Sequence, residues 1–466
     1  IRDGCLCLVG SEICIRDRGC ALSMMLYVIA IEELLTRVNE NKNIQGYDVH
    51  GLKKHEIKAS AYADDVTGYT INERSTKEFF IEFDKWGEIS GASLNKEKTK
   101  FIRINENNEC ENEDVKILGV YFNKNGISEK NYNELKTKIT QCIYIWNTVK
   151  LNMLERIVVC KTFVLSKVWF LANFCTFHKD FIKEINSKIH RFIWCNCRES
   201  IKRDTLILPY ECGGMNMFNL EAKFKTILLR QFFYILNNFK REFYCVSVLW
   251  LKFQLKNLIE NFNLVPSLDE KSRPSFFTKM IESVNEFKKH DKDFSKKLSK
   301  YSSKIIYSIF RKSFEKKPKI ELESQTKDWK TIYKTINNKN LHSDLRVINY
   351  KILNNGLSLD TKLSKLRKAC YFCNKETESV MHLLIECVET KSFFEKIKHK
   401  LNCYHNFFLT KETSIFHENL SFEMSKNISI FNITIWTVRN IIKNQSSLDI
   451  HKTFLGVFYS FLHKYT

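Results

Sequence analysis

The chain has 466 residues, 44% of them hydrophobic and 13% aromatic, with only 14 Gly and 4 Pro. This composition excludes a disordered or fibrous chain and leaves length for two or three packed, mostly helical domains. The 74 Lys and Arg against 53 Asp and Glu give a formal charge of +21, spread along the whole length, which is the footprint of a broad polyanion-binding surface. No apolar run is long enough to span a bilayer, and the basic residues are not gathered on one amphipathic helix. Nucleic acid is therefore the expected polyanion, and a membrane is not an expected partner.

In chain order, the apolar residues after Arg18-Gly19-Cys20-Ala21-Leu22-Ser23 recur at helical spacing, and Ser23 is placed to cap that long helix. Gly19 lets backbone approach a ligand closely, although a plain strand-loop-helix unit has the same pattern. Next comes Ala59-Ser-Ala-Tyr62-Ala63-Asp64-Asp65-Val66-Thr-Gly68-Tyr69. Small, aromatic and β-branched residues on both sides predict two strands with the tandem acids at a tight turn. Adjacent carboxylates repel unless a cation sits between them, and all-oxygen ligands suit Mg²⁺, so Asp64 and Asp65 are candidate ligands for phosphoryl chemistry. Asp-Asp also occurs in turns for hydrogen-bonding reasons alone. A helix over roughly 75–90 leads to Gly91-Ala-Ser-Leu94-Asn95-Lys96-Glu97-Lys98-Thr99-Lys100, a cationic turn in which a lysine near the acids would meet a triphosphate or protonate pyrophosphate; a solvated charge run reads the same way. The β-rich run from Val115 to Phe122, broken at Leu118-Gly119, fits a small hairpin.

From about 128 to 200 the pattern is helical, with Leu135, Ile139, Cys142, Ile143 and Trp146 on one stripe and Ile182, Ile185, Ile189, Phe192 and Ile193 on another. Phe192-Ile-Trp194 through Gly213-Gly214 closes this region with a turn before another helix. Residues 270–320 are the most basic, bracketed by Pro266, Pro274 and Pro318, and mark a junction. Sixteen cysteines, mostly embedded in apolar helical patterns without a signal peptide, are expected to be reduced thiols in an intracellular compartment. Cys370-Tyr-Phe-Cys373, His382 and Cys387 have a spacing that wraps four ligands round a tetrahedral Zn²⁺, the first pair on a knuckle and the second on a helix. Such a site is structural, since four protein ligands leave no open position; a cysteine-rich helical pair is the alternative.

The ordered set resembles the reverse transcriptases of non-LTR, LINE-type retrotransposons. Arg18 through Ser23 is similar to that family's Q-G-x-P-L-S box, Tyr62-Ala-Asp64-Asp65 to Y-A-D-D, Gly91 through Thr99 to G-x-x-L-N-x-x-K-T, and Leu118-Gly119 to its L-G box. The segment ending at Gly213-Gly214 and the Cys-Cys-His-Cys cluster are similar to the region after the polymerase. The resemblance implies an α+β chain: a partial right-hand polymerase palm with a small antiparallel sheet over residues 1–127, a helical thumb over 128–215, a basic helical connector over 216–345 and a zinc-knuckle region over 346–466. It implies copying of element RNA into DNA at a nicked chromosomal target, with RNA template, DNA primer and dNTPs as partners, in the nucleus after cytoplasmic synthesis. Asp64 would bind Mg²⁺ with Asp65 beside it, Lys98 would act on pyrophosphate, Tyr62 would line the site, Leu118-Gly119 would grip the primer, and Arg18 and Gly19 would contact template or nucleotide.

Two departures accompany the resemblance. Arg18 stands where the family has Gln and Ala21 where it has Pro, and an always-charged guanidinium is not equivalent to an amide that both donates and accepts. The family's first catalytic aspartate precedes the glycine box, so the chain, which begins at Ile1, is expected to be a fragment carrying half of a two-metal site. The alternative from another class is a decayed or repurposed copy acting only as a nucleic-acid-binding zinc protein; intron-encoded or telomeric reverse transcriptases are a third option.

Overall fold

A computed structural model describes residues 21–48, 56–63, 65–95, 97–104, 113–240, 245–256, 258, 273–291, 301–315, 327–360, 369–401, 408–445 and 448–465. It is a helix-rich α+β chain with small antiparallel sheets, and it divides into two units. One unit comprises residues 1–134, 173–176 and 228–300; the other comprises 135–172, 177–227 and 301–466.

The first unit begins with helix α1 (Ala21–Glu40). The helix already includes Ala21, the first described residue, so Ser23 lies within the helix and not at a cap, contrary to the expectation from sequence: Ala21 and Leu22 are strong helix formers and keep the serine in the helical conformation. Strands β1 (Tyr47–Asp48) and β2 (Glu56–Ile57) pair antiparallel, followed by the hairpin of β3 (Ala59–Tyr62) and β4 (Asp65–Gly68). Helix α2 (Glu73–Ser90) is bounded by local chemistry. The Asn72 carboxamide accepts from the Ser75 amide at 2.8 Å, and Gly91, at φ 70°, closes the C-terminus with its N–H on the Gly87 carbonyl. The helical spacing of Phe79, Phe83 and Trp86 turns one stripe of α2 onto Ile31, Leu34 and Val38 of α1, and the Trp86 indole donates to the Ala30 carbonyl at 3.1 Å. Strands β5 (Val115–Ile117), β6 (Val120–Asn123) and β7 (Gly126–Ile127) form a third antiparallel sheet. Buried Asn131 ties this sheet to the start of α3 (Lys130–Asn147): its amide donates to the Tyr121 and Ser128 carbonyls at 2.7 and 2.9 Å, and its carbonyl accepts from the Tyr121 amide.

In the second unit Leu135 and Ile139 of α3 are buried, as are Ile185, Ile189, Phe192 and Ile193 of the helix Lys179–Ile193. The remaining members of the two stripes, Cys142, Ile143, Trp146 and Ile182, are half-buried. The Asn152–Glu155 capping box opens the helix Met153–Val159, and the Asn152 amide reaches on to Ser343 Oγ at 2.8 Å and Asp344 Oδ1 at 2.9 Å, joining two parts of this unit far apart in sequence. Gly213 and Gly214 sit where a β-carbon would come within 2.5 Å of the Tyr333 ring and 2.1 Å of the Leu208 carbonyl oxygen. Only glycine permits so close an approach. The largest core gathers Tyr333, Ile348, Phe393, Phe431, Phe454 and their neighbours, the Phe393 and Phe454 rings stacking with centroids 4.5 Å apart. Among the described residues no helix is long and apolar enough to cross a membrane.

Buried His417 belongs to this unit; its Nδ1 lies 2.7 Å from Ser425 Oγ and its Nε2 has no partner among the described residues. Burial pushes its pKa down from 6.5 to about 4. Between those values the unfolded chain binds the extra proton, so the stability present above pH 6.5 falls as pH drops towards 4. The loss through this residue is expected to reach about 3 kcal/mol. Urea unfolding midpoints from pH 7.5 down to pH 4 measure it, and a His417→Gln variant is expected to show a shallower pH dependence than the parent.

Candidate active site and candidate metal centre

The register of the acidic hairpin is Ala59↔Gly68, Ser60↔Thr67, Ala61↔Val66 and Tyr62↔Asp65, joined by residues 63 and 64. Directly paired residues share a face, so Ala61 and Val66 form one side and Tyr62 and Asp65 the other. The first side, with Ala59, packs on the α1–α2 core. Gly68 brings the hairpin so close to α2 that a β-carbon there would stand 2.8 Å from Cζ of Phe79. The other side is open: Tyr62 is 70% exposed, and Ala63 and Asp65 are exposed too. Ala63 has φ 52°, an uncommon conformation for a residue with a β-carbon. Asp64 lies outside the described residues, as do Arg18 and Gly19.

Lys98 is exposed on a turn built by Asn95, whose carbonyl accepts from the Lys98 and Thr99 amides at 3.2 and 3.1 Å and from Thr99 Oγ1 at 2.9 Å. Asp65 and Lys98 make no ion pair among the described residues, leaving both charges available to a ligand. Upstream of the hairpin, the buried Lys58 ammonium donates to the Asn39 and Asn41 carbonyls at 3.0 and 2.8 Å, satisfying the carbonyl end of α1 and anchoring the strand that leads into β3. The asparagine at 95 and the lysine at 58 were not singled out from sequence. The role of Lys58 depends on carbonyls 17 and 19 residues away that only the fold brings near, whereas the Asn95 turn is local, closed by residues three and four positions on.

The turn between β5 and β6 consists of Leu118 and Gly119, at φ 47° and 88°. Two successive positive φ values define the primed hairpin turn that matches strand twist, and position one normally calls for Asn, Asp or Gly. Leucine there stores strain while presenting a 48% exposed apolar side chain at the tip.

The second constellation is in the second unit. Cys370, Cys373, His382 and Cys387 place their ligand atoms all within 4.8 Å of one another. Cys370 and Cys387 sulfurs are 4.0 Å apart, and Cys373 Sγ lies 3.4 Å from His382 Nε2. Zinc–ligand bonds of about 2.0–2.3 Å at tetrahedral angles put donors about 3.4–3.8 Å apart, so the four atoms are near the spacing Zn²⁺ requires, whereas a disulfide needs about 2.05 Å. The first pair lies on a knuckle: the Cys370 amide donates to the Glu376 carbonyl at 2.8 Å, the Asn374 amide donates to the Cys370 carbonyl at 3.0 Å, and Asn374 takes φ 56°. His382 opens a single π-turn (His382–Glu386), closed by the Cys387 amide on the His382 carbonyl. Five residues along an α-helix are about 140° apart in projection; the wider i to i+5 turn brings the histidine and the following cysteine back towards one face. Cys387 then caps the helix Val388–Ile397. Its thiol is pushed down to about 5 by the neighbouring Cys370 thiol and by the backbone N–H groups of Thr390 and Glu389, while the same contact drives Cys370 upward. These contacts favour the thiolate at Cys387, the form in which sulfur ligates a metal.

A buried charge network buttresses the knuckle. Arg439, 1% exposed on the helix Phe422–Asn444, grips Glu378 bidentately at 3.0 and 2.6 Å. Its guanidinium lies 4.8 Å from the Tyr371 ring centroid, and Asp360 accepts from Tyr371 and Lys443. Tyr371 is one of the two residues between the knuckle cysteines, so the network fixes the loop from behind. An arginine between Trp436-Thr-Val438 and Ile441-Ile442, on the apolar stripe of this helix, is a sequence signal that was available for this partnership.

Residues 15–122 match the family described as "Reverse transcriptase (RNA-dependent DNA polymerase)". The matched stretch contains the acidic hairpin, the Asn95–Lys98 turn and the Leu118–Gly119 turn; the four-ligand cluster lies beyond it and rests on its own geometry.

Purified under reducing conditions, the chain is expected to contain close to one equivalent of zinc by metal analysis, lost on changing Cys370 and Cys373 to Ser. Changing Glu378 to Gln removes the bidentate partner of buried Arg439 and leaves it with the Asp360 carboxylate at 3.7 Å; the change is expected to cost up to about 3 kcal/mol in chemical denaturation, with weaker zinc retention in a chelator competition.

Proposed function

We propose that this chain belongs to the RNA-directed DNA polymerase of a non-LTR retrotransposon, with the acidic hairpin supplying part of a two-metal site that a further aspartate strand completes. The match over residues 15–122 supports reverse-transcriptase chemistry. The observation that carries the reading is the exposed hairpin face where Tyr62 and Asp65 pair, within a matched stretch that also presents an exposed Lys98 with no ion pair among the described residues. In this reading residues 1–127 are the partial palm, 128–215 the thumb, 216–345 a connector and 346–466 the zinc-binding region.

Asp64 and Asp65 would hold Mg²⁺, for which an exposed, unpaired carboxylate is a suitable hard-oxygen ligand. The ion supplies neutralisation of charge on the reacting phosphates. The chain's own groups do the rest. Lys98 neutralises or protonates the departing pyrophosphate, Tyr62 offers an exposed ring beside the primer end, and the Leu118 side chain at its strained turn bears on the primer. Arg18 would hold template or nucleotide by charge where an amide is the family's choice. The zinc centre is structural, holding the knuckle to its surrounding helices.

A decayed copy that only binds nucleic acid is the second reading, favoured by Arg18 and Ala21 at box positions. An intact reading frame with an aspartate strand about 50–100 residues upstream of Gly19 supports the enzyme, and a stop codon there supports the relic.

In a longer chain that includes that strand, Asp64→Asn is expected to abolish primer extension on RNA while RNA affinity stays nearly unchanged; extension at the parental rate would remove Asp64 from the chemistry. Leu118→Asn removes the strain of a leucine at positive φ and is expected to raise stability by about 0.5–1 kcal/mol, yet to shorten extension products through loss of the apolar primer contact. Denaturation midpoints and product-length gels read the two effects separately.

A further inference from the structure

A concavity of about 580 Å³ opens in the second unit, outside both constellations described above. Its wall comes from three elements. Glu423, Lys426 and Asn427 share one face of the helix Phe422–Asn444 by their i, i+3, i+4 spacing, as do Tyr459 and His463 on the helix Ile450–Tyr465. Lys400 comes from the turn after the helix Val388–Ile397, and that turn is held in place by the Asn427 amide, which donates to the Leu401 carbonyl at 2.9 Å.

The volume lies in the range of clefts that take small ligands or one unit of a longer one. Its chemistry is two-sided. Lys400 is exposed and makes no ion pair among the described residues. Lys426 pairs with Glu423 only at 4.0 Å, the carboxylate being 71% exposed and the lysine side chain 19%. The pair is long and its carboxylate is open to solvent, so it is weak, and the part of Lys426 that lines the concavity can exchange it for a phosphate. Tyr459 offers a ring 47% exposed on the same wall. Cations beside an accessible aromatic ring are what a single strand of nucleic acid requires, its phosphates against the lysines and an unpaired base on the ring; a duplex hides its base faces from such a ring.

We propose that this groove binds a single-stranded nucleic acid segment, with Lys400 and Lys426 on successive phosphates and Tyr459 stacking a base. The site goes beyond the polymerase reading and does not depend on it.

The test uses the full chain with excess unlabelled primer–template duplex present to occupy other nucleic-acid surfaces. Labelled ten-nucleotide oligouridylate and its deoxy counterpart, each carrying one 5-iodouracil, serve as probes. Irradiation is expected to cross-link Tyr459, mapped by mass spectrometry, and Tyr459→Ala to weaken binding roughly tenfold in fluorescence anisotropy. Tyr459→Phe should retain affinity, which separates stacking from a folding defect. The Lys400→Ala, Lys426→Ala double variant is expected to lower the salt slope, log affinity against log salt, by about 1.4. Preference for the ribo-oligomer identifies RNA as the occupant and equal binding identifies either strand type; both support the site. Cross-links confined to other residues, unchanged affinity in Tyr459→Ala and the double lysine variant, or equal displacement by an acidic peptide would overturn it.

Discussion

The approach of the Phe79 ring to Gly68, too close for any β-carbon, is the contact on which the geometry of the first unit depends. It lets β4 lie against α2, so that Ala59, Ala61 and Val66 face a core of Ile31, Leu34, Val38, Phe79 and Trp86. Strand alternation then determines the rest: with one side committed to the core, the opposite side, Tyr62 and Asp65, has to face outwards. A carboxylate is costly to bury and a phosphate-binding ion needs access, so one packing constraint both stabilises the hairpin and exposes its acid. Lys58 reinforces the arrangement by tying the strand entering β3 to the carbonyl end of α1.

The four-ligand cluster of the second unit follows a different logic. Its ligand atoms converge because three backbone devices turn the chain: the knuckle with Asn374 at positive φ, the π-turn from His382, and the helix that Cys387 caps. Buried polar groups surround it in matched sets. Arg439 and Glu378 satisfy one another, Asp360 accepts from Tyr371 and Lys443, and the Phe372 ring packs 4.9 Å from Phe454 in the apolar core. Ion pairing in so dry a place contributes conformational definition more than net stability, because desolvation offsets much of the attraction.

Strain is spent sparingly and at turns. Ala63 in the acidic hairpin and Leu118 in the three-stranded sheet both sit at positive φ without being glycine or asparagine, and each adjoins residues whose chemistry the polymerase reading uses. A strained apolar tip is retained against stability when its side chain has a contact to make.

The linear chain by itself determined the local features. Paired strand stretches around Ala63-Asp64-Asp65, the helix near 75–90 between Asn72 and Gly91, the hairpin at Leu118-Gly119 and the four-ligand spacing of Cys370, Cys373, His382 and Cys387 all follow from propensity, capping chemistry and turn residues acting over a few positions. Ser23 was misplaced as a cap because neighbouring helix formers outweigh one hydroxyl. Only tertiary structure decided which hairpin face is open, which distant groups hold the knuckle, and where Lys400, Lys426 and Tyr459 meet. Those outcomes depend on groups tens to hundreds of residues apart, such as Glu378 and Arg439 or Asn152 and Asp344. Their pairing is set by core packing and desolvation, which no local pattern encodes.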